Sequence, residues 1–175
     1  MIFSQVLTAW VRLWTLVLMI FLPVPGLPQA PEAAPGTLVQ LTDGATGRKI
    51  ASLLLADGDT AVLTWTNSLF RLFVTEVYRA RSGRLVQTDV TFALPGGGEP
   101  PTVRTEDVDD LYHTGGPFRA TGLSRPMEKV IFRVGKIGAP MLAIGRRVVD
   151  FAAEVGFGGT IVLEAREAQR EDPGE

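Results

Sequence analysis

Apolar residues fall along this chain in two distinct ways. Over residues 13–22, LWTLVLMIFL, they run almost unbroken, and a breaker-rich stretch, PVPGLPQAPEAAPG, follows at 23–36. Beyond it they come in short β-branched runs separated by Gly, Pro, Asp and Asn, and no later window holds a long 3.6-residue period. The runs at 38–42 and 49–55 flank Asp43-Gly44-Ala45-Thr46-Gly47, a glycine-bearing hairpin loop, and Asp57-Gly58-Asp59 turns the chain into 61–66. Runs at 130–134, 141–144, 147–151 and 160–164 are separated by glycine-containing connections, while proline and glycine fill much of 94–126. This pattern predicts an all-β domain, a sandwich or partly open barrel of roughly eight to ten short antiparallel strands, preceded by one N-terminal hydrophobic helix.

The clearest hairpin joins 73–80 to 85–92 around Arg81-Ser82-Gly83-Arg84. A two-residue Ser-Gly loop pairs Arg81 with Arg84 and sets Glu76 opposite Asp89, where like charges repel. A three-residue loop with Gly83 left-handed pairs Ala80 with Arg84 instead. It gathers Val74, Tyr78, Val86, Val90 and Phe92 on one face, with Glu76 and Thr88 among them. The coincidence of apolar faces favours the second register. Glu76 is then a carboxylate on a mostly apolar surface, in need of a partner.

The apolar stretch at 13–22 spans only about 15 Å as a helix, the size of a signal-peptide core. Counted from residue 2 to 22 it reaches about 31 Å, enough for one membrane span. The longer helix carries Arg12 near its middle, at a cost of about 2.5–3.5 kcal/mol. Trp10 and Trp14 flank that arginine as at an interface, and Val24-Pro25-Gly26 offers small residues for cleavage in a proline-crowded setting. The expectation is a single uncleaved anchor, with a cleaved leader and a free exported domain as the alternative. Arg12 precedes the core and the next cation is Arg48, so the domain lies outside, on the periplasmic side of the inner membrane.

Composition narrows the class. The chain has 175 residues and no cysteine, so neither a disulfide framework nor thiolate chemistry is available. The organisation reads as leader 1–22, Pro/Ala-rich linker 23–36, one β domain over 37–165, and a charged tail at 166–175. A net charge of −2 with no basic stripe argues against nucleic-acid binding.

Residues from the middle of the chain form a familiar ordered series: Trp65-Thr66-Asn67-Ser68, Val74-Thr75-Glu76-Val77-Tyr78, Gly83-Arg84-Leu85-Val86, the Phe- and glycine-rich 92–98, and Phe132-Arg133-Val134-Gly135. Over about residues 38–163 the chain resembles the domain of unknown function 1850 family. Its members are small exported or membrane-anchored proteins, often encoded beside permeases of TAXI-type tripartite ATP-independent periplasmic (TRAP) transporters. The resemblance implies an accessory role, with the transporter permease or its solute-binding protein as partner. Departures stand beside the matches. Asn67 occupies a usual histidine position, Phe70 a usual acid, Phe73 a usual proline, and Pro140 a second family histidine. Ser68, Glu76 and Asp89 fall on matching positions. Any family ligand or cation site would therefore be represented here by Asn67, Ser68, Glu76 and Asp89, in part only.

The chemistry that remains is sparse. His113 is the one histidine, which excludes multi-histidine metal sites and most catalytic triads. The acidic run 106–110 lacks the glycine and terminal glutamate of an EF-hand loop and reads as a solvated loop. Gly96-Gly97-Gly98 opens onto Pro100 and Pro101, not onto a phosphate-binding helix. Ser68 has no nucleophile context and reads as a turn residue beside Asn67. No catalytic residue, metal or cofactor is assigned. Glu76 and Asp89, in neighbouring strands, can bind a cation, share a proton or receive Arg79 or Arg84. The segment Leu69-Phe70-Arg71-Leu72-Phe73 is apolar around one arginine and is expected to combine core packing with an exposed patch for docking. The leading expectation is a non-enzymatic transporter accessory; the alternative is a free periplasmic domain binding a small ligand or cation near Glu76.

Overall fold

The turn-bounded runs fold as strands whose ends shift by a residue or two. In a computed structural model that describes residues 36–168, they become β1 (Gly36–Asp43), β2 (Lys49–Ala56), β3 (Thr60–Asn67), β4 (Leu72–Arg81), β5 (Arg84–Ala93), β7 (Lys129–Arg133), β8 (Met141–Ile144), β9 (Arg147–Asp150) and β10 (Thr160–Glu167). The expected N-terminal helix lies outside the described residues, as do the linker through residue 35 and the end of the tail. Among the described residues, no helix is long and apolar enough to cross a membrane.

Three elements depart from the sequence pattern. The proline- and glycine-rich stretch contains β6 (Phe118–Met127), which lies at the edge of its sheet. There Pro126 withholds no hydrogen bond from an interior neighbour, and Gly122 adopts φ 73° where the pairing with β5 shifts register. The acidic run is not an open loop. A 3-10 turn (Thr105–Asp107) leads into α1 (Val108–Thr114), with Arg104 bonded to Asp107 at 3.0 Å and Arg125 to Asp109 at 2.9 Å. The third is α2 (Phe151–Val155), capped by Asp150, whose Oδ1 accepts from the amides of Ala152 and Ala153. The charged tail also starts later than expected. β10 keeps Ile161, Leu163 and Ala165 inward and continues through Arg166 and Glu167, which pair with Leu38 and Thr37.

The strands form two sheets, ordered β2-β1-β10-β7 and β6-β5-β4-β3-β8-β9, and every named pair is antiparallel. The sheets face each other across a core that draws Val39, Leu41 and Leu163 from the smaller sheet and Leu63, Ala80 and Leu142 from the larger. The result is a β-sandwich with sheets of unequal size. The excess of the larger sheet, around Leu72, Val74, Val90, Phe92 and Phe118, is covered by α1 through Val108, Leu111 and Tyr112. One sheet face therefore carries two adjoining cores with different covers. Along β4 the inward residues run Leu72 and Val74 in one core, then Glu76, then Tyr78 and Ala80 in the other.

The β4–β5 register corrects the expected one. Ser82 (φ 45°) and Gly83 (φ 78°) form a two-residue turn with both central residues left-handed, and Arg81 pairs with Arg84. The anticipated clash does not follow, because β5 carries a bulge. Thr88 is the extra residue between the pairs Tyr78↔Gln87 and Val77↔Asp89, so Glu76 faces Val90. The tight turn and the matching apolar faces are both satisfied, at the expense of one unpaired position. Gly83 is also held against the smaller sheet. Its amide donates to Thr37 Oγ1 at 3.2 Å, and a Cβ on it would lie 2.5 Å from the Glu167 amide nitrogen.

Candidate functional site

Glu76 sits at the seam between the two cores and is only 7% exposed. Three neutral donors satisfy its carboxylate. The Trp65 indole Nε1 donates to Oε1 at 3.0 Å, while the Tyr78 hydroxyl and Gln87 Nε2 (3.0 Å) donate to Oε2. Gln87 also donates to the Tyr112 hydroxyl at 3.3 Å, which ties the network to α1. The bulge at Thr88 makes this possible, since it turns Gln87 inward beside Glu76. Trp65 packs against both cores, and its ring meets Phe92 edge-on at 6.1 Å; Phe92 in turn stacks on Phe118 at 4.7 Å. A polar cluster thus knits together the region where the two covers meet.

This arrangement separates the two acids. Asp89 pairs with Val77 on the outward face and accepts from Thr88 Oγ1 at 2.7 Å, while Glu76 points inward. The two carboxylates do not share a proton or a cation across the hairpin. The candidate arginine partners are also engaged elsewhere: Arg79 donates to the Gly58 carbonyl at 2.9 Å and Arg84 pairs with Glu128 at 3.4 Å. Among the described residues, no group of three or more His, Asp or Glu side chains is placed to hold a metal ion.

Both tyrosines of the chain lie in this cluster, and both phenols are held protonated. Burial, and then the nearby Glu76 charge, pushes the Tyr78 phenol far up; the same two causes push Tyr112 to about 12. Up to the ordinary tyrosine value near pH 10, folded and unfolded chains carry these protons equally. At higher pH the unfolded chain releases both while the folded chain retains them, so stability falls as pH rises. With two protons withheld, the slope approaches about 2.7 kcal/mol per pH unit. Urea titrations between pH 9 and 12 are expected to show this loss. Tyr112→Phe should reduce the slope by about half, with tyrosinate absorbance reporting the same protons.

The remaining predicted residues gather at one end of the larger sheet. Asn67 closes the β3–β4 turn through Oδ1, which accepts from the amides of Leu69 and Phe70 at 3.0 Å each. Within the segment 69–73, Leu72 is buried and Phe70 packs into the α1-covered core, its ring filling the space where a side chain on Gly115 would sit. Leu69 and Phe73 are exposed, at 77% and 44%. The expected patch is therefore made of two residues, not four.

Ser68 lines a cleft of about 330 Å³ that sequence reasoning does not reveal. Trp65, Thr66 and Ser68 form one side; Arg133, Lys136 and Ile137, from β7 and the loop after it, form the other. That loop is pinned at both ends. Val134 exchanges backbone bonds with Gly158 and Gly159, and the Thr66 amide donates to the Gly138 carbonyl at 2.7 Å. Pro140 is buried, and its carbonyl accepts from the Phe151 amide at 3.0 Å. Arg133 and Gly135 of the series Phe132-Arg133-Val134-Gly135 belong to this wall. Comparison with protein-family models, curated proteins and solved structures gives no match to this chain.

Proposed function

We propose that this chain is a non-enzymatic accessory protein of a TAXI-type TRAP transporter. In this reading an extracytoplasmic β domain, held at the membrane by residues 2–22, contacts the permease or its solute-binding protein. The observation that supports a contact is the division of the segment 69–73. Phe70 and Leu72 anchor a tight turn in the core, and this presents Leu69 and Phe73 to solvent on a rigid base. Large apolar side chains held in this way lose little conformational freedom on binding, as interface anchors require. Ile137 and Met141, also exposed, belong to the neighbouring loop and to β8, and extend the apolar character of this end. The hydrophobic stretch at 13–22 and the family resemblance supply the membrane location and the transporter. The non-enzymatic reading is supported by the engagement of both Glu76 oxygens by neutral donors, which leaves the one buried acid among the described residues committed to the fold.

Purification of the tagged full-length protein in mild detergent, after co-expression with a TAXI-type permease and its solute-binding protein, tests this. The wild type is expected to retain one of the two. The double variant Leu69→Ser/Phe73→Ser should reduce retention about tenfold or more, because two central anchors are lost. Its melting temperature should stay within about 3 °C, since both residues are surface positions. A wild-type chain that retains neither component removes the proposal.

A further inference from the structure

We propose that the cleft between the end of β3 and the β7–β8 loop binds a small organic carboxylate, with the anionic group between Arg133 and Lys136 and the apolar body against Trp65. Four observations carry this. The lining includes two cations and no carboxylate, and among the described residues neither Arg133 nor Lys136 has an ion-pair partner. Trp65 and Ile137 supply apolar surface beside them, and Ser68 adds a hydroxyl. The volume, about 330 Å³, falls at the lower end of the range of small-molecule sites, which suits a ligand of modest size. Finally, the walls are fixed before any ligand arrives. Glu76 holds the Trp65 indole, and the Thr66–Gly138 bond together with the Val134 bonds to Gly158 and Gly159 holds the opposing loop.

The chemistry favours a carboxylate over a bare inorganic anion. The two cations and the arginine fork suit a carboxylate as they suit a phosphate, and the apolar surface of Trp65 and Ile137 beside them makes the difference. An inorganic phosphate would meet the same cations but would leave Trp65 and Ile137 uncovered. A neutral ligand of the same shape would cover them but leave the cations unanswered. Glu76 is a positioning residue in this site, acting through the indole and not on the ligand.

The site shares Ile137 with the apolar end described above, but its test is separate. Full-length protein carrying Trp10→Phe and Trp14→Phe retains Trp65 as its sole tryptophan, a reporter in the wall of the cleft. Phenylacetate and hexanoate are the probes, with 2-phenylethanol and inorganic phosphate as the apolar-only and anion-only comparisons. At least one carboxylate is expected to change Trp65 emission saturably, with affinity at least tenfold above that of either comparison. In the same background, Arg133→Gln/Lys136→Gln should weaken that binding about tenfold or more and leave the melting temperature unchanged. Rising ionic strength should weaken it as well. No saturable response to either carboxylate overturns the proposal. So does an equal response to 2-phenylethanol, or full affinity in the double glutamine variant. None of these outcomes bears on whether the permease or solute-binding protein is retained.

Discussion

Replacing Glu76 by leucine is expected to destabilise the domain by about 3–5 kcal/mol, the range seen when one member of a buried polar set is removed. Leucine matches much of the volume, so the loss is not a cavity. It comes from stranding the Trp65 indole, the Tyr78 hydroxyl and the Gln87 amide, all of which donate to this one carboxylate. Each unmatched buried donor costs about 1–3 kcal/mol, and partial relaxation keeps the total below the sum. For a domain of this size the melting temperature should drop by roughly 10–20 °C. Glu76→Gln should fall between leucine and wild type, because one side-chain oxygen remains to accept while Tyr78 can reverse its role and accept. Thermal melts of the three proteins decide the matter. Equal stability of all three would mean that the hydrogen bonds at the seam contribute nothing.

The second large effect is expected at Gly83. Its φ of 78° already disfavours a side chain, and a Cβ there would fall 2.5–2.9 Å from the backbone and Cβ of Glu167. Gly83→Ala therefore carries the left-handed penalty of about 1–2 kcal/mol and a forced retreat of β10 from the turn. The retreat also breaks the amide bond to Thr37, a buried hydroxyl. Together these should destabilise by about 3 kcal/mol. Gly145→Ala is the matched comparison. Its φ is 57°, but nothing lies within 4 Å of the added methyl group, so only the conformational penalty applies. Urea denaturation should separate the two variants by about 1–2 kcal/mol. Identical losses would show that the packing of the turn on β10 is soft.

Much of the sandwich was legible in the sequence because its strands obey local rules. Period-two burial in β4 and the β1–β2 loop closed by Asp43, which accepts from Ala45 and Thr46, are written into neighbouring residues. What escaped was whatever depends on a distant partner. β6 is paired by β5 despite Pro126 and Gly122, and α1 is a short helix stabilised by the core it covers. The hairpin register failed for a related reason. The coincidence of apolar faces and the like charges favour the three-residue loop, while the bulge that makes the two-residue turn compatible with both has no sequence signature. The sequence pattern marks Glu76 as a carboxylate on an apolar face, and three side chains donate to it. Those partners, Trp65, Tyr78 and Gln87, come from three strands, and the bulge that presents Gln87 could not be read in advance. The cleft was less legible still, since Ser68 and Arg133 are far apart in the chain and meet only because the β7–β8 loop crosses between sheets.

The pairing of β1 with β10 also has a consequence in time. The larger sheet is mostly a meander, with β3, β4, β5 and β6 each beside its chain neighbour; β3–β4 and β4–β5 close through short loops and can form early, while β5 reaches β6 across residues 94–117. In the smaller sheet only β1 and β2 have such a shortcut, the hairpin over 44–48. Its central pair joins Thr37 to Glu167, in the first and last of the described strands, and among the described residues β7 has its only ladder with β10. Until β10 emerges, the edges of β1 and β7 that pair with it stay bare, and the core around Val39, Leu41 and Leu63 lacks Ile161, Leu163 and Ala165. A growing chain thus remains sticky until residues 160–167 are delivered, and β10 is the step at which that exposure ends.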